Sequence, residues 1–179
     1  MSKDRLPGTP IEIKKKHLLR LIQSSPLGEH LTIKDCKLLA KIAHYRSLKK
    51  GEILAEEANY RGQLFYIVSG TVEVDLRSGD AINAADTDNN EFMLDLLSTG
   101  QMAGVFGLLK DTASTATLRV DEPCQVVIFP RNSLNRLLKN NPKAGVKILL
   151  ALIRVVRKLV VEMNQYSRDM NKFVSGTES

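Results

Sequence analysis

A mainly β fold with flanking α-helices, built as an antiparallel sandwich or roll, is what this sequence of 179 residues predicts. Three observations carry the prediction. Apolar residues recur at helical spacing before about residue 47 and again after Pro130. Between those limits lie six short runs rich in Val, Ile, Leu, Phe and Tyr, separated by turn residues. No helical pattern interrupts these runs, so the strands pair antiparallel rather than as βαβ units. The chain therefore divides into an N-terminal helical segment (1–47), a β-region (48–130) and C-terminal helices (131–175).

Within residues 11–25, helical spacing brings Ile13, Leu18, Leu19, Leu21 and Ile22 together and leaves the lysines on the other side. Thr32 is placed to cap a second helix, with Asp35 at the capping-box position, and that helix is expected to end near Ser47. In TVEVDLR, Val72, Val74 and Leu76 alternate with Glu73, Asp75 and Arg77, the pattern of a strand with one dry and one wet face. Ala116, Leu118 and Val120 repeat it, which turns Arg119 outward. Residues 78–90, SGDAINAADTDNN, read as a long hairpin tip; their DTDN lacks the glycine and closing glutamate of a calcium loop. Asn132 or Ser133 can cap SLNRLLKN, and Asn141 followed by Pro142 starts a long helix that runs to about Phe173.

That last helix carries the most regular pattern in the chain. Leu149, Leu152, Val156, Leu159, Met163, Tyr166, Met170 and Phe173 follow one another in alternating steps of three and four. Beyond Met163 the helix is polar apart from this stripe, so it needs a partner, and the simplest one is a second copy in a parallel coiled-coil dimer. Packing of the stripe within its own chain is the alternative.

Composition narrows the function. The sequence has no run of 18 apolar residues and its N-terminus lacks a signal-peptide core, so a cytoplasmic protein without a membrane span is expected. Cys36, Cys124 and three histidines fall at no metal-ligand spacing, and no metal site is expected. There is no GxSxG, HExxH or Walker-type lysine, which argues against an enzyme. Net charge is −1 over residues 1–130 (16 basic, 17 acidic) and +7 over 131–179 (10 basic, 3 acidic). The ordinary reading of this asymmetry is the solvated face of a basic helix; a weaker one is a docking face for nucleic acid or acidic lipid.

Four stretches carry a family resemblance: KKGEILAEE (49–57), LFYIVSGTVEV (64–74, with Gly70 at a turn), TGQMAGVFGLL (99–109) and VVIFPRNSLNRLL (126–138). In order and spacing the chain resembles the cyclic nucleotide-binding domain of the catabolite activator protein family over roughly residues 15–165. The resemblance implies a jelly-roll-like antiparallel β-roll, N-terminal helices and a long C-terminal dimerisation helix. It further implies that residues 103–116 form a phosphate-binding cassette, whose backbone N–H groups, arginine and glutamate hold the cyclic phosphate and the ribose hydroxyl.

Placed on that pattern, Gly104 and Gly107 keep the cassette's small residues, and Thr115 and Ala116 keep part of its end. Ala103 stands for the aromatic, Val105 for the glutamate and Ser114 for the arginine, with Phe106 between. Register does not rescue the charges, because residues 96–118 contain only Lys110 and Asp111. Ala58 is a further departure, replacing a glycine between the first two strands. Each lost charge-assisted contact costs about 1.5 to 3 kcal/mol, so two of them weaken nucleotide binding by about two to four powers of ten.

The expectation is a non-enzymatic, homodimeric regulatory module that acts on a protein partner and binds cyclic nucleotides weakly or not at all. No cofactor is therefore assigned, and a cyclic nucleotide is disfavoured. The alternative is a genuine cyclic-nucleotide or other small-ligand sensor that shifts the long helix. Specific DNA binding is not expected, because only about six residues follow Phe173 and no helix-turn-helix fits there.

Overall fold

The computed structural model describes residues 6–56, 62–75, 95–108 and 116–175, with backbone alone at 95, 162, 163 and 166–175. Ala58, the 78–90 tip, Lys110, Ser114 and Thr115 lie outside the described residues. Among the described residues, seven strands and four α-helices follow the order β1 (Thr9–Pro10), α1 (Lys15–Gln23), α2 (Ile33–Ala40), β2 (His44–Leu48), β3 (Ile53–Ala55), β4 (Gln63–Asp75), β5 (Asp95–Leu97), β6 (Met102–Ala103), β7 (Thr117–Pro130), α3 (Arg131–Asn140) and α4 (Pro142–Ser175). Short 3-10 turns occupy Gly28–His30 and Phe106–Leu108. The fold is mainly antiparallel β with helices at both ends, as the periods predict.

Two long strands organise the roll. β7 lies beside β4, with Leu64 opposite Phe129 and Val74 opposite Leu118. Along its length β7 changes its other partner, from β3 near Leu118 to β2 over Cys124–Ile128. β4 likewise pairs with β6 at Phe65–Tyr66 and with β5 at Val72–Val74. The β4–β7 register shifts between Ile67 and Val72, and Gly70 sits at that bend with φ +88°. A Cβ at Gly70 would lie 2.5 Å from the Pro123 carbonyl oxygen, so only glycine lets the two strands cross so closely.

Both faces of the central strands are dry. Leu64, Tyr66, Val127 and Phe129 join a core shared with the helices, and Phe65, Ile67, Val126 and Ile128 join a second core inside the roll. Burial on both faces makes LFYI and VVIF unbroken apolar runs where a half-exposed strand would alternate. Helices α1, α2, α3 and α4 contact one another in sequence on the outer side of this sheet.

Two local expectations need correction. Helix α2 stops at Ala40, and residues 44–47, expected as helix, belong to strand β2 paired with β7. Tertiary pairing of alternating His44, Tyr45, Arg46, Ser47 and Leu48 outweighs their weak helical preference. Helix α3 starts at Arg131 with Pro130 as its N-cap and no side-chain cap from Asn132 or Ser133; the Arg131 N–H instead donates to the Gly62 carbonyl at 3.2 Å. The Thr32 capping box with Asp35 and the Pro142 start of α4 form as the sequence predicts.

Candidate functional site

The cassette loop grows out of β6. Met102 and Ala103 lie opposite Tyr66 and Phe65 on β4, and alternation sends Met102 into the helix-side core and Ala103 into the roll. Gly104 then reverses the chain with φ +78°. A Cβ there would meet the Gln63 carbonyl oxygen at 2.2 Å, so the sharp exit from the strand depends on glycine. The 3-10 turn that follows uses its own amides: Gly107 N–H donates to Gly104 at 3.1 Å and Leu108 N–H to Val105 at 3.2 Å.

The side chains of this turn point to packing. Val105 and Leu108 are half-buried against the helix-side core, and Phe106 is 58% exposed. Val105 thus makes an apolar contact with the helix-side core, and its side chain offers no hydrogen-bond acceptor. Gly107 keeps ordinary backbone, and the loop's other neighbour is Gly62, which no sequence motif singles out. A Cβ on Gly62 would lie 2.0 Å from the Gly107 carbonyl oxygen and 3.0 Å from Cδ of Arg131. Gly62, Gly107 and Arg131 therefore join the cassette turn to the start of α3.

At the far end of the cassette, Ala116, Leu118 and Val120 are buried as expected. Arg119 is half-buried and lies opposite Glu73 on β4 and Ile53 on β3, on the face away from those three residues. Burial and then the nearby Glu29 push the pKa of Tyr66, beside Met102, above its ordinary value.

The stripe on α4 divides between two faces. Leu149 is 49% exposed and Val156 half-buried, whereas Leu152 is buried in the helix-side core and Leu159 packs against it. Leu152 and Leu159 therefore turn toward their own domain, a correction to the expected seam. The side chains of Met163, Tyr166, Met170 and Phe173 lie outside the described residues. In place of the inward pair, Val146 (59% exposed), Ile153 (62%) and Val160 (47%) complete an outward seam with Leu149 and Val156. This seam lies one position away from Leu152 and Leu159, a difference of about 100° around a helix of 3.6 residues per turn. Among the described residues, no helix is long and apolar enough to cross a membrane.

Comparison with known proteins agrees with this architecture. The profile of the cyclic nucleotide-binding domain matches residues 45–141. A cyclic nucleotide-binding domain from Methylobacillus flagellatus superposes with a TM-score of 0.68 at 19% identity, over 88% of this chain and 83% of that one. The regulatory subunit of a cAMP-independent protein kinase A from Trypanosoma brucei superposes with a TM-score of 0.63 at 17% identity, over 86% of this chain and 51% of that one. Neuropathy target esterase sws of Drosophila mojavensis is 22% identical over 148 residues, covering 79% of this chain and 10% of the esterase. The chain thus spans a small part of that curated relative. With the profile matching more than half of its length, and with an antiparallel roll whose glycine-turned loop meets the helices, this chain belongs to the cyclic nucleotide-binding domain family.

Proposed function

We propose that this chain is a non-enzymatic regulatory module that keeps the cyclic-nucleotide frame, has lost recognition of ribose and phosphate, and works through protein contacts. The position of Val105 carries the reading: its side chain is committed to the helix-side core, where a ribose acceptor would have to leave that packing. The kinase regulatory subunit of similar fold, described as cAMP-independent, is consistent with such a use of the domain. Titration calorimetry with cAMP and cGMP tests it directly. The expected result is no binding tighter than about 100 μM, two powers of ten from micromolar affinity; a micromolar constant for either nucleotide would overturn the proposal.

The module acts as a homodimer along α4. Its outward seam places β-branched Val146, Ile153 and Val160 at one heptad position and Leu149 at the other, the choice that favours parallel two-stranded coils, with Val156 the departure from it. Replacing Val146 and Ile153 by Glu should give a monomer by light scattering, and an unchanged dimer mass would show that another surface is used.

The alternative function, a ligand sensor, draws on the place of Gly62 between Gly107 and Arg131, because a ligand that moves the turn would press through Gly62 on the start of α3. It requires ligand-dependent shifts of amide resonances in α3 and α4; a bound ligand that leaves those resonances in place excludes it.

A further inference from the structure

Charge is segregated between the two layers of the fold. Helix α1 carries three Lys or Arg, α2 two, α3 three and α4 five up to Val161, 13 in all, against the single acid Asp35. Asp35 is itself buried and paired with Lys147 at 3.5 Å. The seven strands carry the opposite balance: Arg46 and Arg119 against Glu73, Asp75, Asp95, Asp121 and Glu122. Residues at both ends of the chain meet in one layer, so the basic surface is far larger than the C-terminal excess alone. Lys15, Lys16, Arg20, Lys34, Lys37 and Lys139 are exposed and lie off the α4 seam.

We infer that this helical layer docks on an anionic lipid surface. A positive layer backed by a negative sheet orients the molecule in the field of such a surface before contact. The choice of lipid follows from the groups beside the cations. Phe, Tyr and Trp are absent from the four helices up to Val161, so the layer offers no large aromatic platform for unpaired bases, His17 being its one aromatic ring. The exposed apolar group beside the α2 lysines is aliphatic: Ile33, 53% exposed, precedes Lys34 and stands one turn before Lys37. An aliphatic side chain flanked by cations suits the boundary between headgroups and acyl chains, whereas a phosphate backbone gains nothing from it. The inference is independent of what the cassette holds.

Flotation of the whole chain with vesicles tests it. Binding is expected with phosphatidylcholine containing about 30% phosphatidylserine, absent with phosphatidylcholine alone, and lost on raising salt from about 50 to about 500 mM. Replacing Lys15, Lys34, Lys37 and Lys139 by Glu should weaken binding more than about a hundredfold, at about fivefold per cation removed, while the same four positions as Arg should keep it. Ile33→Ser should weaken binding to vesicles severalfold at unchanged charge. Circular dichroism of each variant distinguishes lost docking from lost fold, and the salt dependence of the unaltered chain stands apart from both. No binding to the anionic vesicles at low salt overturns the inference, as does full displacement by duplex DNA at matched phosphate, which would make the partner a nucleic acid.

Discussion

Replacing Gly104 by Ala isolates the backbone on which the loop after β6 depends. At φ +78° a side chain costs about 1 to 2 kcal/mol from strain alone. The added Cβ would also sit 2.2 Å from the Gln63 carbonyl oxygen and 3.1 Å from Cδ2 of Phe65. The first contact is with backbone, so relief requires β4 and β6 to separate at the Phe65–Ala103 pair, an overpacking cost of about 1 to 3 kcal/mol. The combined loss is about 2 to 5 kcal/mol. Two other glycines separate the contributions. Gly51 has φ +83° with nothing within 4 Å, so Gly51→Ala should lose only the strain, about 1 to 2 kcal/mol. Gly107 has ordinary backbone and its nearest atom would be 3.4 Å away, so Gly107→Ala should be neutral or stabilise by about 0.4 to 1 kcal/mol. Urea unfolding at constant m-value measures all three. If Gly104→Ala costs no more than Gly51→Ala, the close approach to Gln63 is not what shapes this loop.

Other parts of the fold make separate predictions. Burial raises the pKa of Asp35, but hydrogen bonds from Thr32 and then the charge of Lys147 outweigh it and hold the carboxyl below its ordinary 3.8. A depressed carboxylate contributes stability above its unfolded pKa and loses it as pH falls through the folded one. Asp35→Asn should therefore be less stable at pH 7 and show a shallower loss below about pH 4, and parallel stability–pH curves for the two proteins would contradict the assignment. Leu152→Ala should cost about 2 to 5 kcal/mol by emptying a core site, with a loss under about 1 kcal/mol placing Leu152 on the surface. Cys124, pushed up to about 11 by burial and then by Glu52, should resist a disulfide reagent at pH 8 until the chain is unfolded; rapid labelling of the native protein would show that the site is open.

Hydrophobic period and helix capping by themselves determine much of this protein. The roll, its flanking helices, the Thr32 cap and the Pro142 start all follow from local patterns, because dry and wet faces and orphan amides impose short-range rules. The scarcity of charge over residues 96–118, which hold only Lys110 and Asp111, is likewise legible in the sequence. Tertiary structure decided the rest. His44–Leu48 becomes a strand because β7 offers it an edge, a partner some 80 positions away that no local window contains. On α4, apolar stripes one position apart both fit a heptad, and only the position of the domain shows that Leu152 and Leu159 face inward and that Val146, Ile153 and Val160 face out. Charge follows the same division. The sequence places its excess in the last quarter, whereas folding brings α1 and α2 beside α3 and α4 and builds one basic layer from both ends of the chain.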